Sequence, residues 1–445
     1  MSTVITDVDE LQAMMDDLTE DYVLGNNIDA SATSGWNAGT GFLPIGFYGI
    51  PFSGTFDGQG YTISDLYIFR TGTDNIGLFG EVDGATIEDV TLADFTIRGD
   101  DKVGTLAGEC DNSTVSDIIV TDCAITIEDD YGGGLIGDLD TCTVTRCSNS
   151  GTVSATGNLS SYTGGLFGTS YTSTINKCYS TATVTSEDDF VGGLIGLSYR
   201  NNIDDCYATG AVTGDRYVGG FIGYSYDSQE TVDDCFSTGA VTGNSDVGGF
   251  MGYSTSTVTT CYWDTTTSGQ ASSAAGTGYA TATLKLFATF YNAGWDVGQT
   301  NATRNNGYPY LGWETDDTGY AWYIYGEGTW ATYGASFDFP DLLDEKGRPV
   351  KNANIDAYRV DTHSLVASKI TDSNGTANFS ELPVGIDTFF HATYGGVGTH
   401  EKEEWFFLRV NQIEDGGTGS GTTTGALDNL GVHGVAMLWE LVLGD

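Results

Sequence analysis

Basic residues and histidine are both scarce in this chain, and each shortage excludes a class of chemistry. Lys and Arg total 16 against 61 Asp and Glu, for a net charge of −45 and a pI near 4.1. Nucleic acid is not an expected partner, because phosphate backbones are bound by basic stripes. The four histidines stand at 363, 391, 400 and 433, outside the first 362 residues. The eight cysteines include no C-x-x-C pair. A metal site of the zinc type is therefore not expected. No apolar run approaches the ~20 residues of a membrane span. The opening "MSTVITDVDELQAMMDDL" has no basic n-region, no apolar h-region and no twin arginine. A secretory leader is not expected there.

What remains is rich in material for folding. The chain is 40% hydrophobic and 12% aromatic, which a disordered acidic segment is not. Asp outnumbers Glu more than twofold. A folded surface this acidic repels itself in dilute buffer, and molar salt screens that repulsion within a few Å. The composition predicts a protein built for strong brine, such as a haloarchaeal one.

A glycine-rich phrase recurs. Its last glycine falls at Gly80, Gly108, Gly137, Gly168, Gly196, Gly223 and Gly252, at steps of 28, 29, 31, 28, 27 and 29 residues. A period of this length marks a stacked repeat architecture. Within each unit, short runs of alternating apolar residues are separated by Gly, Asn, Asp and Ser turns, which reads as strands. In "INKCYSTATVTSEDDFVGGLIGLS", one strand is expected from Ile175 through Val184 and the next in "VGGLIG". The predicted fold is all-β: a right-handed β-helix (β-solenoid) with one coil per repeat, helical caps and a small C-terminal β-sandwich.

Cys147, Cys178, Cys206, Cys235 and Cys261 share one coil position, held by Val90 and Ile118 in earlier coils. Val and Ile there mean an inward, apolar site, and cysteine behaves as a small buried hydrophobe. Free thiols are expected, since stacked side chains point in parallel. Cys110, Cys123 and Cys142 lie off this ladder.

The phrases "NIGLFG", "GGLIG" and "VGGFIG" resemble the GLUG motif of bacterial, archaeal and phage surface proteins. "DYVLGNNIDAS" and "FSGTFDGQGYTISDLYI" are similar to the opening coils of such β-helices, and "GWDV…NNGYPYLGW" to their closing segment. The resemblance implies a β-helix with an adhesive or structural role. It identifies fold better than function.

Open solenoids need their ends covered. Leu11, Met14, Met15 and Leu18 form a helical stripe, with Thr6 and Asp9 placed as a capping box. This predicts a capping helix within 1–20, followed by the GLUG β-helix at 21–270. "TATLKLFATFYNAG", ended by Gly294, predicts a second helix within a closing segment at 271–335. Residues 336–413 resemble a carboxypeptidase-regulatory-like (transthyretin-like) β-sandwich, carried by Pro349-Val350, Ile355, Tyr358 and "TDSNGTANFSELPVG" with a hairpin signal at Asn374-Gly375. Residues 414–445 read as a Gly/Ser/Thr linker and an apolar tail.

Two candidate surfaces follow from the repeat. Tyr179, Tyr207, Phe236 and Tyr262 follow the Cys in successive coils, and Tyr171, Tyr199 and Tyr226 follow the GLUG strand. Such ladders either stabilise the stack or offer a platform to sugar rings. Asp100, Asp101, Asp129, Asp130, Asp188, Asp189, Asp215 and Asp246 recur at the turn before the GLUG strand. They read as a solvated acidic edge, with weak Ca²⁺, Na⁺ or K⁺ binding as the sharper alternative. A catalytic carboxylate pair would be singular, so recurrence argues against catalysis. No other cofactor is expected. Five N-x-S/T sequons, Asn112 and Asn301 among them, leave glycosylation open.

These features predict a non-enzymatic, surface-exposed virion structural protein of a tailed virus of a halophilic archaeon. It would be a tail fibre, spike, turret or decoration that projects for host attachment. Its partners would be other virion proteins, copies of itself in a homo-oligomer, and host surface glycan or S-layer glycoprotein. The alternative is a secreted cell-surface adhesin or S-layer-associated protein, and a further one is a polysaccharide-degrading spike.

Overall fold

The computed structural model describes residues 2–157, 161–286, 289–290, 293, 295, 297–298 and 305–311, and the strands at 335–339, 354–359, 365–370, 377–382, 387–395 and 401–409. The chain divides into two compact units, Met1–Glu314 and Thr315–Asp445.

The first unit is a β-solenoid of parallel strands. One coil shows the plan. Thr174–Asn176 and Tyr179–Ser180 lie in a long sheet that starts at Thr3–Ile5 and ends at Thr277–Tyr279. Thr183–Ser186 joins a seven-stranded valine-lined sheet. Val191–Gly192 joins a short five-stranded sheet, and Ile195–Tyr199 joins the seven-stranded GLUG sheet. The next coil repeats this in register: Ile175 opposes Ile203, Val184 opposes Val212 and Ile195 opposes Ile222. One sequence repeat is one coil.

The phrase "VGGLIG" is not a single strand. It begins in the short sheet, turns at Gly193 and Leu194, and ends in the GLUG sheet. Its glycines are required by proximity rather than by φ. A Cβ on Gly196 would stand 2.6 Å from Thr163 N and 2.7 Å from Gly168 O. The strand expected from Ile175 through Val184 also breaks, at Lys177 with φ 57°.

Lys177 belongs to a general device. Among the described residues, 23 non-glycine residues have positive φ, and eight of these are Asp and four Asn. They fall in columns at the coil bends, such as Asp89, Asp117, Arg146, Lys177, Asp205 and Asp234. Short polar side chains tolerate the left-handed conformation better than most. Part of the excess of Asp over Glu is therefore geometric.

The interior is a continuous stack of Ile, Leu, Val and Phe. Phe221 and Phe250 stack at 4.8 Å within 6° of parallel. All eight cysteines are buried and free. Cys206 opposes Cys235 in register, and Ile118 opposes Val90 in the earlier coils. Cys110 and Cys142, off the cysteine ladder, meet between successive coils with sulfurs 3.7 Å apart.

The ends differ from expectation in detail. The strand Thr3–Ile5 precedes the first helix and pairs with Tyr22–Leu24. That helix spans only Val8–Ala13, followed by a 3₁₀ turn at Met14–Asp16, and it buries Leu11 and Met14. Its capping box is shifted from Thr6 and Asp9. Asp7 accepts from Glu10 N–H at 2.9 Å, and Glu10 accepts from Thr6 N–H at 2.7 Å. A Glu reaches back across a turn more readily than the shorter Asp9. At the other end, Thr281–Leu284 is a four-residue helix, and Gly294 lies outside the described residues.

In the second unit, Leu365–Ile370, Asn354–Arg359, Asp387–Gly395 and Glu401–Arg409 form a four-stranded antiparallel sheet in that order. Ala335–Phe339 pairs antiparallel with Ala377–Leu382. Asn374-Gly375 and residues 414–445 lie outside the described residues. Among the described residues, no helix is long and apolar enough to cross a membrane.

Candidate functional site

The outward row of the GLUG sheet changes character along the solenoid. In register it reads Glu81, Glu109, Asp138, Thr169, Leu197, Tyr224, Tyr253. A second row reads Asp83, Asp111, Asp140, Tyr171, Tyr199. The early coils are thus acidic and the later coils aromatic.

In the acidic half, Lys102 Nζ bridges Glu109 at 2.7 Å and Asp138 at 3.0 Å. Burial would lower its pKa, but the two carboxylates outweigh that and hold it above the usual lysine value. The Asp111 carboxyl is pushed up to about 7, by burial first and then by Glu109, Asp138, Asp140 and Asp83.

The aromatic half is continuous. Tyr131, Tyr162, Phe190 and Tyr217 stack at 5.2, 4.9 and 5.1 Å. Tyr224 meets the edges of Phe190 and Tyr217 at 5.4 and 4.9 Å, and stacks on Tyr253 at 4.7 Å. Tyr199 stacks on Tyr226 at 4.7 Å and meets Tyr171 edgewise at 6.2 Å. Arg216 lies 4.2 Å over Tyr217 and is bonded to Asp246 at 2.9 Å. Arg200 lies 4.9 Å over Tyr199 and is bonded to Asp227 at 3.0 Å. Phe190 and Tyr217 have φ of 57° and 53°, rare for bulky residues. Ring contacts on both sides hold them there. Tyr226 and Tyr253 are the most open, at 41% and 37% exposure.

Rings stacked on each other cover one another's faces. They offer solvent their edges and their hydroxyls, at one-coil spacing. Burial raises the phenol pKa of Tyr131, Tyr162, Tyr171, Tyr224 and Tyr226. The hydroxyls therefore stay neutral and can both donate and accept. Apolar edges beside neutral hydroxyls match a polyhydroxylated ligand.

The other predicted row does something else. Tyr179 stacks on Tyr207 at 4.8 Å, and Tyr207 on Phe236 at 5.0 Å. Tyr207 and Phe236 are buried, and the row packs with Leu284, Phe290, Trp295 and Tyr308 of the closing segment. Tyr262 stacks on Trp295 at 5.5 Å. The glycan-contact expectation is corrected for Tyr207 and Phe236, which are buried under the closing segment, while Tyr179 and Tyr262 at the ends of the row are partly buried against it.

The acidic turns interact across coils. Asp101 accepts from Lys102 N–H at 2.8 Å and Tyr131 N–H at 3.1 Å. Asp188 accepts from Ser161 at 3.1 Å, Asp215 from Asn244 at 2.5 Å, and Asp246 from Arg216. Burial, then neighbouring acids including Asp129, pushes Asp130 up to about 6. Burial is also the first cause of the raised values of Asp100, Asp101, Asp188 and Asp189. Among the described residues, one trio of carboxylates lies within 4.8 Å: Asp204, Asp205 and Asp234. None of the eight predicted acids belongs to it. It sits in the left-handed column of the long sheet.

Six face residues were not singled out from the sequence: Tyr131, Tyr162, Phe190, Tyr217, Tyr224 and Tyr253. The signal was available. Tyr131, Tyr162, Phe190 and Tyr217 each directly precede the recurrent phrase, and Tyr224 and Tyr253 directly follow its last glycine.

Two family models match the chain. The model for the N-terminal region of the M26 IgA1-specific metallo-endopeptidase covers residues 3–122, and the GLUG motif covers 191–213 and 214–242. Halomucin of Haloquadratum walsbyi is 41% identical over 112 residues. That is 23% of this chain and 1% of halomucin, so the chain spans a very small share of that relative. Among solved structures, a putative immunoglobulin A1 protease from Bacteroides ovatus is similar at 18% identity and a TM-score of 0.44, over 70% of this chain and 92% of that one. An IgA1 protease is similar at 16% identity and a TM-score of 0.36, over 58% and 19%. The chain therefore carries GLUG motifs on a β-solenoid, and its sequence is similar to part of a halophilic archaeal protein.

Proposed function

We propose that this chain is a non-enzymatic surface protein of a halophilic archaeon, and that its aromatic face holds glycan or an S-layer glycoprotein. The carrying observation is the continuous face from Tyr131 to Tyr253, open at Tyr226 and Tyr253 on an otherwise strongly acidic rod. The similarity to halomucin and the −45 charge support a cell-surface or extracellular setting in brine. They favour the adhesin reading over the virion one, which draws no support from the relatives. The antiparallel strands of the second unit serve in this reading as a β-sandwich spacer or contact module, and the protein self-associates.

A proteolytic reading is disfavoured by the residues themselves. The segment similar to the metallo-endopeptidase N-terminal region contains no histidine and no cysteine apart from Cys110. Zinc sites are built chiefly from those ligands. The carboxylates of the acidic edge recur coil after coil, whereas acid–base catalysis needs one placed pair.

The test is retention of the full chain on immobilised haloarchaeal surface polysaccharide in about 3 M salt, where Coulomb attraction is screened. Wild type is retained, and the Tyr226→Ala/Tyr253→Ala double variant loses about tenfold in affinity or more. Equal retention of the two proteins would sink the aromatic-face assignment. Release of oligosaccharides would overturn the non-enzymatic one.

A further inference from the structure

Where the GLUG sheet turns into the long sheet, each coil places one buried side chain at the same position. The series is Ala85, Ser113, Cys142, Ser173, Asn201 and Glu230, each directly before strand residues that are in register. These residues form a hydrogen-bond ladder along the interior. Ala85 N–H donates to Ser113 Oγ at 3.0 Å, and Ser113 N–H to Cys142 Sγ at 3.3 Å. Cys142 N–H donates to Ser173 Oγ at 3.0 Å, and Ser173 N–H to Asn201 Oδ1 at 2.8 Å.

Each polar rung also passes a hydrogen to a main-chain oxygen. Ser113 Oγ donates to Asp111 O at 2.6 Å, Cys142 Sγ to Asp140 O at 3.2 Å, Ser173 Oγ to Tyr171 O at 2.7 Å, and Asn201 Nδ2 to Ser170 O at 2.9 Å. Glu230 continues the ladder by facing Asn201 N–H, but an ionised carboxylate has nothing to pass on. It is fully buried. Its Oε1 accepts from Ser225 Oγ at 2.7 Å, and its Oε2 has no hydrogen-bond partner. The side chains facing it are the hydroxyls of Ser198, Ser225 and Ser256. A buried carboxylate with one oxygen left unpartnered is strongly penalised.

We propose that Glu230, with the hydroxyl oxygens of Ser198, Ser225 and Ser256, holds a dehydrated monovalent cation, Na⁺ or K⁺, inside the solenoid. The donors are all hard oxygens, which suit such ions. One carboxylate balances one positive charge. A divalent ion would leave a net charge buried among apolar coils. The cation fills the place of the hydrogen donor that this rung lacks. This site is separate from the acidic edge and from the aromatic face, and it does not depend on the glycan reading.

Two experiments on the full chain test it. The first is a crystal soaked in thallium(I) acetate, with Tl⁺ as the probe. An anomalous peak in contact with Glu230 Oε2 is expected, and a fully soaked crystal without one overturns the site. The second is thermal unfolding at equal ionic strength in sodium, potassium or tetramethylammonium chloride. Wild type unfolds about 3 °C or more higher in the sodium or potassium salt, as a ligand bound only by the folded state requires. Glu230→Gln supplies its own donor, so it keeps the general salt response and loses that ion-specific difference. The same difference in Glu230→Gln overturns the proposal, as does a wild type indifferent to which cation is present, the behaviour of a protonated Glu230. Should Glu230→Gln fail to fold, the thallium experiment still decides.

Discussion

Tyr207 stacks on Phe236 at 5.0 Å, 19° from parallel, and Phe236 in turn meets Phe290 at 5.2 Å and Trp295 at 5.9 Å. The two tyrosine rows of the sequence thus have opposite duties. One is the gasket under the closing segment, and the other is part of the outer face. Phe236→Ala is expected to cost about 3–5 kcal/mol, as for a fully buried aromatic. Tyr226→Ala, at the open end of the face, is expected to stay within about 0.5 kcal/mol of wild type. Urea unfolding at fixed salt reads both. Comparable losses in the two variants would erase the distinction.

The glycines of the recurrent phrase yield a second expectation. Adding a Cβ at Gly196 puts it 2.6 Å from Thr163 N in the preceding coil, and the clash is with backbone. No side-chain rotation relieves it, so the coils must separate. Gly196→Ala is expected to destabilise by about 1–3 kcal/mol, the range of overpacked cores. Gly269→Ala is the control for steric crowding, since nothing lies within 4 Å there and only its φ of 71° opposes the change. A Gly196→Ala variant with an unchanged urea midpoint would mean that the coils are looser than described.

The coil was legible in the sequence because stacking imposes its period on every layer at once. Glycine spacing, the cysteine ladder and the Val90 and Ile118 substitutions all gave the same register, and the strands follow it. Two things were not legible. The bends occur at residues such as Lys177 and Phe190, whose positive φ no local preference announces. Which tyrosine row is covered depends on Phe290 and Trp295, far along the chain. Periodicity places a residue on a face, and says nothing of what later packs over that face. The aromatic column Tyr131–Tyr217 was within reach of the same alignment that exposed the glycines.

The cysteines make a chemical prediction. All eight are buried free thiols, and burial pushes Cys123 up to about 12. Thiolate is the reactive form, so ionisation opposes reaction at Cys123, and burial denies a reagent access to all eight. A thiol reagent is expected to titrate none of them in the folded protein and all eight after denaturation without reductant. Fewer than eight in the denatured chain would reveal a disulfide, with Cys110 and Cys142 the first pair to map, given their 3.7 Å approach.

Net charge makes another. With 61 acidic residues and 16 basic ones, like charges on the folded chain repel one another. Lowering the salt towards the range of ~0.1 M, where the Debye length reaches ~10 Å, should therefore lower the unfolding temperature progressively. Circular dichroism across a salt series reads the effect. Undiminished stability in dilute buffer would count against a protein made for brine.

Asp111 supplies the pH dependence. Burial and the carboxylates of Glu109, Asp138, Asp140 and Asp83 push it up to about 7 from its ordinary 3.8. Between about pH 4 and pH 7 the folded chain keeps a proton that the unfolded chain has released, so stability falls as pH rises through that window. Below the window the protonated side chain imposes no penalty, and above it the penalty is complete. Asp130, pushed up to about 6, acts in the same direction over a narrower window. Asp111→Asn removes one contribution. Its unfolding temperature should change less than wild type's between pH 4 and pH 8, and should exceed wild type's at pH 8. The gap should narrow in high salt, where the Coulomb part of the penalty is screened but burial is not. A variant less stable than wild type at pH 8 would mean that ionised Asp111 is held by a favourable partner, and Ca²⁺ titration of the wild type would then be the direct check.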